Sequence, residues 1–174
     1  MFNQNSNIYT VYKNELNFSK YANVYDKNAQ LQKKMAKNLS SYIPNIISGK
    51  ILEIGCGTGI FTKYLLSKST KKIFLNDISH EMAKRMECNL SLPPYSQIII
   101  GNAETLKFQM VEIIAANAVF QWFKDPRYTL KRFYSCSKSR GRLIFSTFGS
   151  SSLADFRKNF GIESPALLLS HGDW

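Results

Sequence analysis

Glycines and carboxylates near residue 55 have types and spacings that suit the binding of a nucleoside. In the motif LEIGCGTG, Gly55 and Gly57 let the backbone turn tightly and approach a ligand without an intervening Cβ atom. Glu53 precedes this turn, and a carboxylate there suits a ligand with an ammonium group better than a pyrophosphate. Asp77 lies 18 residues after Gly59 and can accept hydrogen bonds from both hydroxyls of a ribose. The turn and its acids therefore predict a ligand site.

The glycine spacing differs from that of a dinucleotide-binding turn. The dinucleotide fingerprint is G-x-G-x-x-G, whereas this chain has G-x-G-x-G, with Ile60 at the position of the third dinucleotide glycine. Cys56 lies between two of the glycines, where we expect a small filler residue and not a nucleophile. A structural turn without a ligand and a nicotinamide enzyme are the alternatives, and neither explains both acids.

Short apolar runs alternate with helical patterns through most of the chain. Strands are predicted at residues 51–55, 72–77, 97–100, 112–120 and 142–148, and helices at 58–67, after Ser79, from Asp125 to about residue 137, and at 151–160. This alternation predicts an α/β fold with a parallel sheet covered on both faces. Ligands bind at the carboxyl ends of such strands, so the glycine turn after the first strand marks the expected site.

A helical pattern precedes this core and covers residues 18–43. Its apolar residues recur at spacings of three and four, with a break expected near Asp26, and Pro44 ends the pattern. We expect residues 1–16 to be flexible and residues 17–174 to form a single domain.

The composition indicates a folded domain with an excess of positive charge. The chain has 174 residues, is 44% hydrophobic and carries a formal net charge of +11, so it can bury a core. The charge reflects either a lysine-rich and asparagine-rich composition or an acidic partner, such as nucleic acid, an anionic membrane or an acidic carrier protein. The basic residues are spread along the chain, which argues against nucleic acid.

Other features argue against several classes of protein. Three widely spaced cysteines and two histidines argue against a disulfide framework and a metal site. The sequence has no apolar run of membrane-spanning length and no secretory signal. We therefore expect a cytoplasmic protein.

The glycine turn, the internal acid and the acid that ends the second strand resemble those of class I S-adenosylmethionine-dependent methyltransferases. The resemblance implies a Rossmann-like, doubly wound parallel sheet and S-adenosylmethionine as methyl donor, with no metal. Asn102 stands where this superfamily usually has an acid beside the adenine, so weaker affinity is expected. The residues that the resemblance assigns to cofactor binding are Glu53, Gly55, Cys56, Gly57, Gly59, Asp77, Ile78, Asn102, Ala103, Glu104 and Asn117.

A narrower resemblance extends from residue 18 to about residue 155. The stretches FSKYANVYDKNAQLQ, AANAVFQWF and GRLIFSTFG resemble the malonyl-[acyl-carrier protein] O-methyltransferases of biotin synthesis, and trans-aconitate-type methyltransferases share some of these features. The resemblance implies methylation of the free carboxylate of a malonyl thioester, with the acidic acyl carrier protein as partner. It also implies lead or lid helices at residues 17–45, a cofactor-binding core at 50–150 and a C-terminal part at 151–174.

Four residues are candidates for the lid or substrate side of this site, and none is assigned a certain catalytic role. By analogy Tyr25 covers the cofactor as part of a lid, although it could instead pack in the core. Gln32 orients the lid or is a solvated helix residue. Gln121 and Trp122 follow the fourth strand, and Trp122 is expected to pack in the wall of the site.

The sequence also departs from the family pattern. The turn before the fifth strand reads SKSRG, where the family tends to have Lys-Pro-Gly-Gly. The superfamily core has seven strands, and only five are predicted before the chain ends at Trp174, so we expect strands six and seven to be missing and activity to be affected. The alternatives are an inactive or partner-dependent cofactor-binding remnant, and a methyltransferase that acts on RNA or another small acid.

Overall fold

The computed structural model describes residues 18–22, 24–152, 169–170 and 172 of the chain, and these residues form one five-stranded parallel sheet. The strands are ordered β3-β2-β1-β4-β5 across the sheet, so the order reverses between β1 and β4. Their bounds are β1 (Lys50–Ile54), β2 (Lys72–Asp77), β3 (Ser96–Ile100), β4 (Val111–Asn117) and β5 (Ser137–Ser146). The predicted parallel α/β fold is confirmed.

Helices pack on both faces of the sheet, and the chain enters the sheet from a helical lead segment (residues 18–22 and 24–28). The helices that follow are α1 (Gln30–Ser40), α2 (Thr62–Leu66), α3 (His80–Asn89) and α4 (Pro126–Ser135), with a 3₁₀ turn at Phe120–Trp122. None of the helices in the described part of the chain is both long and apolar enough to cross a membrane.

The strands lie at the centre because both of their faces are apolar. Successive β1 residues belong to opposite sides: Ile51 packs with Leu65 and Met86, whereas Leu52 packs with Ile114 and other residues of the second cluster. All five side chains are at most 1% exposed. A strand buried on both faces reads as a continuous apolar run and not as an alternation, which is why the pattern identified these strands.

Two predicted helix starts are confirmed by their side-chain caps. The Ser79 hydroxyl accepts a hydrogen bond from the Met82 amide at 3.2 Å, and the Asp125 carboxylate accepts one from the Tyr128 amide at 2.9 Å. Pro126 is the first residue of α4, where its missing N–H costs no helical hydrogen bond.

Several element bounds differ from the predicted ones, for local backbone reasons. The helix after the glycine turn begins at Thr62 and not at residue 58, because residues 57–61 form turns. β4 ends at Asn117 because Ala118 adopts a left-handed φ of 56°. β5 begins at Ser137, five residues before the predicted start, and the register of its pairing with β4 shifts between Val111 and Ile113. The lead segment breaks at Ala29, three residues after Asp26.

Three predictions concern the chain termini. The flexible N-terminus at residues 1–16 lies outside the described residues. The predicted helix at residues 151–160 and the predicted C-terminal part at residues 151–174 lie almost wholly outside them.

Candidate functional site

A cavity opens at the carboxyl ends of β1, β2 and β4, next to the point where the strand order reverses. It encloses about 780 Å³ of space, which includes the open solvent at its mouth. The predicted site residues that line it are Tyr25, Gly55, Gly57, Asp77, Ile78, Asn102, Ala103, Glu104, Asn117 and Trp122.

The remaining predicted residues lie around this cavity. Gln32 and Cys56 line a smaller adjoining cavity, together with Tyr25, Gly55 and other residues. Three further residues, Glu53, Gly59 and Gln121, are absent from the lining of both cavities.

The glycine turn has a left-handed backbone conformation and is hydrogen-bonded to the end of β2. Gly55 and Gly57 have φ values of +66° and +54°, which side-chain-bearing residues rarely adopt. A Cβ atom at Gly55 would also collide with the Val119 side chain. The Gly57 amide donates to Asp77 Oδ2 at 2.7 Å, and the Cys56 amide donates to the Asn76 carbonyl at 2.8 Å. The turn is therefore a fixed part of the cavity floor.

Asp77 links this turn to the start of α3. Its Oδ1 accepts a hydrogen bond from the Ser79 amide at 2.9 Å, and the side chain is 7% exposed at the cavity surface. Burial raises the pKa of Asp77, and backbone hydrogen bonds from Ser79, Gly57 and Ile78 partly offset that rise. A carboxylate offers about four lone-pair positions, so Asp77 retains the capacity to accept hydrogen bonds from ligand hydroxyls.

The loop after β3 forms another side of the cavity and is braced by polar side chains. Asn102 Oδ1 accepts from the Glu104 amide at 2.9 Å, so this carbonyl already has one partner within its own loop. The Glu104 carboxylate accepts from the Lys124 and Asp125 amides at 3.0 and 3.2 Å. Glu104 therefore braces the start of α4, although part of the residue lines the cavity.

Arg132 supports the same loop from α4. Its guanidinium donates to the Glu104 carbonyl and, at 2.6 Å, to the Leu106 carbonyl. This role could not be predicted from the sequence, because one arginine among 23 basic residues carries no signal of what it contacts.

The lead segment covers the cavity with aromatic side chains. Phe18 contacts Trp122 edge to face with ring centroids 5.3 Å apart, and it lies 6.4 Å from the Tyr25 ring. All three line the cavity. Burial raises the pKa of the Tyr25 hydroxyl, as do the negative charges of Asp77 and Asp26. Tyr25 therefore presents a neutral phenol beside the cavity at neutral pH.

Polar contacts fasten both ends of the lead segment to the core. Ser19 Oγ lies 2.8 Å from Glu81 Oε2 and 2.8 Å from Ser79 Oγ. Asp26 accepts hydrogen bonds from the Thr58 hydroxyl in the glycine turn and, at 3.1 Å, from Asn89 Nδ2 at the end of α3.

One further contact joins α1 to β4. Asn117 Nδ2 donates to the Gln32 carbonyl at 3.1 Å. The lead segment is therefore tied to α3 and the glycine turn, and α1 is tied to the end of β4.

The comparisons with known proteins agree with this geometry. Residues 52–145 match the family model described as a methyltransferase domain. The chain belongs to this methyltransferase family.

Curated relatives of this methyltransferase domain share a common name. This chain is 35% identical over 147 residues to the malonyl-[acyl-carrier protein] O-methyltransferase of Calditerrivibrio nitroreducens, a match that covers 82% of this chain and 57% of the relative. It is 34% identical over 157 residues to malonyl-[acyl-carrier protein] O-methyltransferase 1 of Ilyobacter polytropus, covering 88% and 59%. The chain thus spans less than three fifths of the length of these relatives.

A solved structure shares the fold. A chain from the complex between the Haloferax volcanii Trm112 methyltransferase activator and a methyltransferase superposes with a TM-score of 0.77 at 19% identity. The match covers 90% of this chain and 71% of that one. The Rossmann-like fold of the methyltransferase type is therefore confirmed.

Glu53 lies beneath the glycine turn of the methyltransferase domain and not at the cavity surface. It is 1% exposed, and its Oε2 accepts a hydrogen bond from the Thr62 hydroxyl at 2.8 Å. Burial raises the pKa of Glu53 to about 8, with a further contribution from the charge of Asp77 and an opposing one from the Thr62 hydrogen bond. At neutral pH this carboxyl is therefore mostly protonated, whereas an ammonium counter-ion would have to be charged.

Gln121 supports the cavity wall of the methyltransferase domain from behind. The side chain is 1% exposed; its Nε2 donates to the Ala118 carbonyl at 2.7 Å, and its Oε1 accepts from the Thr147 hydroxyl at 3.0 Å. Ala118 lines the cavity in a left-handed conformation that is costly for a residue with a Cβ atom. Gln121 thus holds a strained backbone in place.

Other cavity residues were seen in the sequence only as packing positions. Phe18 and Met82 belong to helical patterns, and Val119 belongs to an apolar run. Periodicity identifies which face of an element is buried, but it does not distinguish a core from a cavity wall.

Proposed function

We propose that this methyltransferase domain binds S-adenosylmethionine in the cavity and serves the methylation of the free carboxylate of a malonyl thioester on an acyl carrier protein. The observation that carries the proposal is the pairing of Asp77 with the glycine turn. A buried carboxylate that accepts from the Gly57 amide at 2.7 Å also lines the cavity, which suits a ribose that must sit against the turn.

The residues around the cavity fit the rest of such a ligand. The Asn102–Ala103 loop supplies amide and carbonyl groups beside Asp77, where a base attached to the ribose would lie. Asn117 and the glycine turn line both the main and the adjoining cavity, so an amino-acid tail would be held there. The neutral Glu53 beneath the turn would support this end of the site through Thr62 and would not act as a counter-ion.

The chemistry requires little from the protein. Bound S-adenosylmethionine would supply a methyl group activated by its sulfonium charge, with the bonding electron pair retained by sulfur. A carboxylate acceptor is already ionised at neutral pH, so no general base is required. Phe18, Tyr25 and Trp122 would exclude water above the cavity, and the neutral phenol of Tyr25 could donate a hydrogen bond to an anionic acceptor. The protein would act by positioning and water exclusion.

The proposals of a malonyl substrate and of a carrier protein as partner are based on the relatives. Two proteins at 34–35% identity are named for malonyl-[acyl-carrier protein], and a net charge of +11 suits an acidic partner. A cytoplasmic location is consistent with this function and stays a prediction.

Calorimetry with S-adenosylmethionine and S-adenosylhomocysteine tests the site independently of turnover. We expect both to bind the wild-type chain and Asp77→Asn to weaken both. A folded chain that binds neither would refute the proposed site.

Methyl transfer from radiolabelled S-adenosylmethionine then tests the substrate. We expect label in malonyl-acyl carrier protein and not in RNA or trans-aconitate. Label in either of the latter would keep the cofactor site and replace the proposed substrate.

A further inference from the structure

The outer side of the lead segment and α1 carries alternating basic and apolar residues. Lys20, Val24, Lys27, Leu31 and Lys34 follow one another at spacings of four, three, four and three, which keeps them on one side within each helical segment. All five are exposed, with Val24 and Leu31 at 44% and 45%. We call this set the lid stripe.

The lid stripe is basic, and its lysines are exposed, with Lys20 Nζ 5.5 Å from the centre of the Tyr21 ring. Two acids lie near the stripe and both are engaged by other side chains: Asp26 by Thr58 and Asn89, and Glu81 by Ser19. Lys33 also points away from the stripe, because its Nζ donates to the Asp26 carbonyl at 2.5 Å. Among the described residues the stripe therefore presents three positive charges and no negative one.

We propose that the lid stripe is the docking surface for the acidic acyl carrier protein. The inference rests on the proposed function for the identity of the partner and on the stripe for its location. Phe18 and Tyr25 line the cavity from the same helical segment that carries Lys20, Val24 and Lys27. A helix is about 10 Å across, so a carrier docked on the outer side would lie one helix diameter from the cavity.

The alternation of basic and apolar residues in the lid stripe favours a protein partner over a membrane surface. A helix that lies in a membrane interface separates its apolar face from its basic face. In the lid stripe the lysines alternate with Val24 and Leu31 within each helical segment, as at a protein interface that combines apolar contact with charge complementarity.

Charge reversal with a matched control tests the docking surface. Lys20→Glu/Lys27→Glu/Lys34→Glu should weaken binding of holo-acyl carrier protein at least tenfold by calorimetry and leave S-adenosylhomocysteine binding unchanged. Lys63→Glu/Lys71→Glu/Lys84→Glu alters three exposed lysines elsewhere and should stay within twofold of wild type. Lys20→Arg/Lys27→Arg/Lys34→Arg should retain binding, and wild-type affinity should fall as salt rises.

The outcomes separate this inference from the proposed function. Equal losses in the stripe variant and its control would overturn the docking surface. It would also be overturned if malonyl-coenzyme A were methylated while the carrier failed to bind, although methyl transfer to a malonyl thioester would then stand. Carrier binding through the stripe with no methylation of any malonyl thioester would support the docking surface and reject the function.

Vesicle binding distinguishes a carrier-docking surface from a membrane-binding surface. Vesicles of phosphatidylglycerol and phosphatidylcholine should bind the wild type and the stripe variant equally. Vesicle binding that depends on the three lysines, with carrier binding unchanged by their reversal, would overturn the proposal in favour of a membrane surface.

Discussion

The two halves of the cavity differ in the polarity of the groups that line them. On the β1–β2–β3 side, backbone groups and short polar side chains fixed by hydrogen bonds, such as those of Gly57, Asp77 and Asn102, line the cavity beside the apolar Ile78 and Met82. On the β4–β5 side, the large apolar side chains of Val119, Trp122 and Phe123 predominate beside Asn117, and the lead segment closes this side.

This difference separates recognition from enclosure. The polar half offers fixed donors and acceptors that can specify a nucleoside. The apolar half offers water exclusion, and a lead segment that would have to open to admit an acceptor. Changes in the polar half should alter ligand affinity or turn stability, whereas changes in the apolar half should alter kinetics and backbone strain.

The largest expected effect lies beneath the polar half, at Glu53. Its pKa is about 8 in the folded chain against an ordinary value of 4.5, so the folded state holds a proton that the unfolded state releases between these pH values. Stability should therefore fall as pH rises from about 4.5 to about 8, by a total on the order of 4 kcal/mol. Glu53→Gln stays neutral and should flatten this decline, as measured by urea unfolding at a series of pH values. Parallel slopes in the two proteins would contradict the burial argument.

Asp77 should give the next largest effect. Asp77→Asn replaces one acceptor by a donor that faces backbone amides, and we expect S-adenosylhomocysteine affinity to fall about 100-fold, or about 2.7 kcal/mol. Calorimetry measures the affinity, and circular dichroism checks that the variant is folded. A folded Asp77→Asn chain with unchanged affinity would show that the polar half does not specify the ligand.

Asp26 tests the closure of the apolar half. Asp26→Asn can still accept from Thr58, but its amide nitrogen then faces the Asn89 amide nitrogen. The lead segment should open more often, so S-adenosylhomocysteine should dissociate about tenfold faster, or about 1.4 kcal/mol, as followed by Trp122 fluorescence in stopped flow. Glu87→Gln makes the same charge change at an exposed site on α3 and should leave the rate unaltered. Identical dissociation rates in the two variants would contradict a role of Asp26 in closing the lead segment.

Ala118 should give the smallest effect. Glycine adopts a φ of 56° without strain, so Ala118→Gly should stabilise the chain by about 1 kcal/mol at neutral pH. Gln121→Ala removes the hydrogen bond to the Ala118 carbonyl and should destabilise the chain by about 1 to 2 kcal/mol. Thermal unfolding measures both, and a destabilising Ala118→Gly would show that the left-handed residue is not a source of strain.

The polar half was the more predictable half, for a physical reason. A tight turn needs glycine, and a strand end that meets a ribose needs an acid, so Gly55, Gly57 and Asp77 are visible as residue types at fixed spacings. The strands were visible because burial on both faces makes them continuously apolar.

The apolar half was harder to predict because it depends on contacts between distant residues. The left-handed Ala118 has no glycine to indicate it, and it ends β4 earlier than the pattern implies. Gln121 was singled out through a family resemblance, but its inward direction is set by Thr147, which lies 26 residues later. Glu53 was assigned to a ligand, and its burial depends on Thr62 and the packing of α2.

The hydrogen bond between Gly57 and Asp77 has a further consequence. The group that would recognise the ligand is also the group that keeps its turn folded, so the acceptor is preorganised before any ligand arrives. The conformational entropy of this corner is then lost during folding and not during binding. A ligand with matching hydroxyls would meet an immobile partner, and its binding should leave the backbone of the turn unchanged.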